Sequence, residues 1–169
     1  RARFGTARAV PLIEQLMQAM RDMLAQGALA LNRDGAAGWV YDGAVWFVAK
    51  RLADEVREHI VRRDGDDAGV PGPAKNDRLF DTWQEYAQLD VNPLTQQAVW
   101  HVIVHGEDGN GYAHRLSVLK FPLAKVWRDA SSYPAPMSGR IEVVVRAPKD
   151  GDVQAAQAAP TGQAAPSVA

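Results

Sequence analysis

Three histidines stand close together in WHVIVHGEDGNGYAHRLSVLKF, residues 100–121: His101, His105 and His114. Imidazoles so placed can ligate a metal, move a proton, or meet a phosphate backbone once protonated. On a strand, His101 and His105 share a face but stand roughly 13 Å apart, too far to chelate one ion directly. His114 could pair across the strands with one of them, yet no carboxylate of fitting spacing completes a ligand set. No bound metal is expected. Asp77 and Asp81 present two carboxylates on one helix face, an arrangement that a capping residue and a solvated face explain. The acidic stretch DGDDAGVPGPAK (64–75) does not have the calcium-loop spacing D-x-[DN]-x-[DN]-G-x₅-E and reads as a surface loop.

Other chemistries lack their residues. The chain has no cysteine, which excludes disulfides, zinc–thiolate sites and thiol nucleophiles. It has no G-x-S-x-G elbow, no G-x-x-x-x-G-K-[ST] and no G-x-G-x-x-G opening a helix. GEDGNG (106–111) is glycine-rich but acidic, the wrong sign for cradling phosphate. The chain is therefore expected to be non-catalytic and to need no cofactor.

Elements must position whatever chemistry remains. The 169 residues give room for one domain and a tail, and 47% hydrophobic with 23% charged residues is ordinary globular composition. No apolar run reaches the roughly 18 residues of a membrane span, so no membrane insertion is expected. The net charge of −1 supplies no global field toward nucleic acid, so any such contact needs a local patch. The chain opens on Arg1 rather than Met, as a fragment of a longer protein would.

The spacing of Ile13, Leu16, Met17, Met20 and Leu24 predicts a helix over 9–26, with Pro11 in its first turn and Gly27 as its stop. ALALN (28–32) reads as a short strand. WVYDGAVWFV (39–48) reads as a hairpin about Asp42-Gly43, its aromatics packing in the core rather than stacking bases. Leu52, Val56 and Ile60 mark a second helix over 49–63, with Lys50, Asp54, Arg57 and Glu58 off its apolar face. Asn76 or Asp77 caps a third helix, NDRLFDTWQEYAQL, whose apolar face is Leu79, Phe80, Trp83, Tyr86 and Ala87. AVWHVIVHG and RLSVLKFP then alternate as half-buried strands, with Val99, His101, Ile103 and His105 on one face and Trp100, Val102 and Val104 on the other. PLAKVWRD gives a helical turn that returns Trp127 to the core, and SSYPAPMSGRIEVVV gives an extended crossing and a last strand.

This order predicts an α+β, winged-helix-like domain (helix, strand, helix, helix, strand, wing, strand) with an extra β-hairpin over residues 1–146. A disordered Ala/Gln/Pro-rich tail follows over 147–169. The segments QGALALN, WVYDGAVWFVAKRLADEV, LFDTWQEYAQL and AVWHVIVHGEDGNGYAHRLSVLKFPLAKVW together resemble the C-terminal domain of large conjugative relaxases. These are the TraI-type conjugal-transfer nickase/helicase proteins of plasmids and integrative conjugative elements. Val48-Ala49-Lys50 stands where many members place a proline before the second helix.

The resemblance implies a bacterial cytoplasmic protein and a winged-helix-like accessory domain whose parent is a DNA nickase. The catalytic part of such a parent lies in an amino-terminal region this chain does not contain. Its implied partners are single- or double-stranded DNA, bound weakly and salt-sensitively, and the relaxase catalytic region or transfer machinery. A protein–protein docking module without DNA contact is the alternative. The expected DNA contacts are Lys75, Asn76, Arg78 and Thr82 on the third helix, with His105, Asn110, His114 and Arg115 on the wing.

The tail lacks the large apolar side chains that could offset an ordering cost of about 1–2 kcal/mol per residue. Truncation at Ala147 should leave the thermal midpoint nearly unchanged; a fall of several degrees would show that the tail docks.

Overall fold

A computed structural model describes residues 10–65, 69–107 and 111–145. The tail of 147–169 and Asn110 lie outside the described residues. The fold is mixed α/β: four helices and a five-stranded antiparallel sheet.

Helix α1 (Leu12–Ala25) opens on Pro11, whose carbonyl accepts from the Glu14 and Gln15 amides. It ends on Gly27 at φ 75°, where the Ala28 amide reaches back to the Met23 carbonyl in a Schellman closure. The strand expected at 28–32 is instead a single parallel bridge, Leu31 to Gly38. Asn32 is the reason, because its positive φ of 65° turns the chain out of extended geometry. Strands β1 (Gly38–Tyr41) and β2 (Ala44–Val48) form the expected hairpin, with Asp42 and Gly43 at φ 53° and 76° in a type I′ turn.

Helix α2 (Ala49–Asp64) buries Leu52, Val56 and Ile60 as its spacing requires. It also buries Arg57, which the spacing leaves outside. Arg57 donates to the Pro71 carbonyl at 2.7 Å, to Asp54 Oδ1 at 3.0 Å and to Asn76 Oδ1. A buried guanidinium with three acceptors is satisfied, and it ties Pro71 and the start of the next helix to α2. Hydrogen bonding holds the Asp54 carboxyl below its ordinary value, Lys50 foremost and then Arg57 and Asn76, against the opposing effect of burial.

Helix α3 (Asn76–Glu85) follows a 3₁₀ turn at Pro73–Lys75. No side chain caps its start, since the Asn76 amide is committed to Arg57 and Asp54. It also ends sooner than the apolar pattern suggests. Ala87 sits at φ 55° and the Gln88 amide closes on the Trp83 carbonyl, which leaves Tyr86 54% exposed. Strands β3 (Val99–His105) and β4 (Ala113–Pro122) form the second hairpin. A one-turn helix α4 (Leu123–Val126) and an extended crossing lead to β5 (Arg140–Val143).

The strand order is β1-β2-β4-β3-β5. One face of the sheet carries Val40, Val45, Phe47, Leu119 and Phe121 against the helices. The other carries Trp39, Trp46, Trp100, Val102, Val104 and Val118, with Met137 of the crossing packed among them. The hairpin aromatics Trp39, Trp46 and Phe47 are at most 3% exposed, so they belong to the core.

Trp83 joins α3 to the sheet, fully buried with its ring edge-on to Phe121 at 5.4 Å. Its buried indole N–H meets no hydrogen-bond partner among the described residues. Trp83→Ala should therefore cost about 3–5 kcal/mol in urea unfolding, a loss of volume alone. Trp83→Phe should cost distinctly less, because it removes an unsatisfied donor; equal losses would contradict this account.

Candidate nucleic-acid interface

Cross-strand partners share a face of a sheet, so the register decides which side chains meet. On the helix side, His101 lies opposite Ser117, Ile103 between Arg115 and Glu142, and His105 between Ala113 and Arg140. Leu119 is fully buried under the helices, whereas Ser117, the next β4 residue on the same face, is exposed. Beyond that point the described residues leave the sheet face partly open: His101, Ile103, His105 and Arg115 are half-buried, and Ser117, Arg140 and Glu142 are exposed. This face carries two guanidiniums, Arg115 and Arg140, one carboxylate, Glu142, and two imidazoles that gain charge on protonation.

Most of these groups have partners. The His105 Nε2 lies 2.9 Å from Glu142 Oε1, and Arg140 lies 3.8 Å from the same oxygen. The His101 Nδ1 lies 3.1 Å from Ser117 Oγ. Arg115 differs, because its Nε is buried and meets no acceptor among the described residues. The half-buried Arg115 side chain thus carries a cation with no carboxylate beside it among the described residues, and guanidiniums pair readily with anions. Burial, and then the Arg115 charge, push the His101 imidazole below its ordinary value.

His114 lies on the other face, because its partner is Val104 rather than His101 or His105. Pairing of His114 with either histidine is thereby ruled out. It stacks on Tyr112 with ring centroids 5.4 Å apart and meets Asp34 Oδ1 at 2.7 Å. Tyr112 in turn accepts from the Trp39 indole at 3.0 Å.

The expected α3 residues form a separate group. Lys75 and Arg78 are exposed, in company with the exposed Asp77, Asp81 and Glu85. The Asn76 side chain is occupied by Arg57 and Asp54, and the Thr82 hydroxyl donates to the Arg78 carbonyl. Trp83 of this helix meets β4 at Phe121, six residues and about 20 Å of strand from Arg115. The structure thus brings together His105 and Arg115, and adds His101, Ser117, Arg140 and Glu142. Arg140 and Glu142 were missed because the pairing of β5 with β3 leaves no local mark. The alternation Arg140-Ile141-Glu142-Val143 is the only hint of it.

The TraI_2 family, described as "Putative helicase", matches residues 1–96. The chain belongs to this family. The TraI_2 match runs from the N-terminus through α3 and stops before β3, and it supports the likeness to TraI-type conjugal-transfer proteins. No curated protein matches the chain. Among solved structures it is similar to the C-terminal domain of Salmonella enterica protein STY4665. That likeness has 14% sequence identity and a TM-score of 0.54, and covers 82% of this chain and all of that one. At that identity the likeness concerns the fold. None of the helices described is long and apolar enough to cross a membrane.

His101 supplies a test of the geometry. Its proton affinity is depressed in the folded state, so the unfolded chain takes up the proton first as pH falls. Its contribution to stability is complete above about pH 6.5 and is lost as pH falls through the folded value. Arg115→Ala should raise the His101 pKa toward its ordinary value in an NMR titration. No rise would mean that the two side chains do not share this face.

Proposed function

We propose that this chain is a non-catalytic accessory domain of conjugal DNA transfer that touches nucleic acid through the open face of its β3–β4–β5 region. The observation that carries this reading is Arg115, a cation whose Nε meets no acceptor among the described residues, on a partly exposed sheet face with Arg140, His101 and His105. Family membership supplies the context. Phosphate oxygens are the acceptors such a guanidinium lacks, and Lys or Arg contacts to phosphate are the usual source of sequence-independent binding.

In the same reading the β3–β4 hairpin acts as the wing of a winged-helix-like arrangement, with α3 as the neighbouring helix. Lys75 and Arg78 approach the backbone from α3 and His105 and Arg115 from the wing, whereas His114 faces the other side of the sheet and is held by Asp34; Asn110 lies outside the described residues. Asn76 and Thr82 serve as second-tier contacts, their side chains already holding intramolecular bonds. Few cations mean few neutralised phosphates, so binding is weak and fades with salt.

One observation favours docking to protein instead. The exposed side of α3 carries Asp77, Asp81 and Glu85 and leads to the exposed Tyr86, a surface that repels phosphate and suits a basic or aromatic partner. The relaxase catalytic region or another component of the transfer machinery is then the partner.

Fluorescence anisotropy with single- and double-stranded oligonucleotides at two salt concentrations separates the readings. Arg115→Ala should weaken binding across sequences and reduce the salt slope by about one unit, and Arg78→Ala should do the same if α3 joins the interface. Unchanged binding in Arg115→Ala removes the open sheet face from the site. Absence of binding at low salt favours the docking reading.

A further inference from the structure

The two edges of the sheet are treated differently. At the β1 edge the Val40 amide donates to Asn32 Oδ1 at 2.8 Å, and the Val40 carbonyl accepts from the Met137 amide at 2.7 Å. The Gly38 carbonyl accepts from the Asn32 amide, and the Asn32 side chain holds the Ala135 carbonyl. That edge is closed.

At the β5 edge it is open among the described residues. The Val144 amide donates to the His101 carbonyl, so residues 140, 142 and 144 turn their backbone groups toward β3. Ile141, Val143 and Val145 therefore turn theirs outward, and β5 has no neighbour on that side. The apolar stripe running through Val102, Val104 and Ile141 continues outward into Val143 and Val145, which are 38% and 72% exposed. Unpaired backbone beside exposed valines is a template for one more strand.

We infer that this edge is the interface of a homodimer, in which β5 pairs antiparallel with β5 of a second copy. Charge complementarity points to that occupant. With Ile141 opposite Ile141 of the second copy, Arg140 of each chain faces Glu142 of the other, on the same side of the sheet. Gly139 then lies opposite Val143 and leaves room for its side chain. Gly139 must be glycine for its own reason, since a Cβ there would stand 1.8 Å from the His105 carbonyl oxygen. Sliding one copy by two residues sets Glu142 against Glu142 or Arg140 against Arg140, so the charges disfavour both neighbouring registers. The dimer joins two five-stranded sheets into one and makes the two open helix-side faces continuous. The inference rests on the edge and not on nucleic-acid contact.

Sedimentation velocity of the full chain, from low to high micromolar concentration, tests it. The chain should pass from monomer to dimer. Val143→Pro removes an outward amide without touching the β3 ladder, and should give a monomer with unchanged circular dichroism. Arg140→Glu and Glu142→Arg should each abolish the dimer, and an equimolar mixture of the two variants should restore it, one copy of each. A monomer at every concentration overturns the inference, as does a dimer that survives Val143→Pro or that neither charge reversal weakens.

Discussion

Phe121 is where the two hairpins and the helices meet, and its orientation fixes the rest of the molecule. It lies edge-on to Phe47 of the first hairpin at 5.9 Å and to Trp83 of α3 at 5.4 Å, with no exposure. β4, which carries it, pairs with β2 on one side and β3 on the other. Side chains along a strand alternate, so placing Phe121 and Leu119 on the helix side also places Ser117 and Arg115 there. A slip of one residue would turn Arg115 into the tryptophan-lined face and bring His114 out opposite Ile103 or His105. The same contact that builds the core thus decides which cation is presented on the open surface.

The length of β4 turns this constraint into a site. Its proximal half lies under the helices, while its distal half runs past them with β3 and β5 alongside. The tryptophan face stays covered in both halves, first by its own aromatics and then by Met137 and Ile141. Only the helix-side face opens. Arg115, Arg140, His101 and His105 collect there by strand alternation and register, while His114 falls on the opposite face. Within that group, Glu142 draws His105 and Arg140 together, and Arg115 is left without a carboxylate.

Much of the fold was legible in the sequence where a local rule governs. Asp42-Gly43 marks its hairpin because few dipeptides accept two positive φ angles, and Leu52, Val56 and Ile60 mark α2 by spacing alone. The alternation of β3 correctly separates His101 and His105 from Trp100 and Val102. What stayed hidden depends on distant partners. Arg57 reads as a surface residue until Pro71 and Asn76 arrive to accept from it. Asn76 reads as a cap because the sequence does not show a buried guanidinium competing for its amide. ALALN has strand composition, but Asn32 leaves the extended region to close the β1 edge. The grouping of side chains on the candidate face was legible in part for the same reason: His105 and Arg115 lie in one hairpin, whereas Arg140 and Glu142 join it through pairing across more than thirty residues.

The register of β4 places Arg115 on the helix-side face of the sheet, the face that the proposed function assigns to nucleic acid. Chemical-shift mapping of the isotope-labelled chain during titration with a short oligonucleotide at low salt tests it most directly. The account predicts shifts clustered at His101, Ile103, His105, Arg115, Ser117 and Arg140, with Trp100, Val102 and Val104 little affected. Shifts confined to the exposed acidic side of α3, or to the tryptophan face, would contradict it.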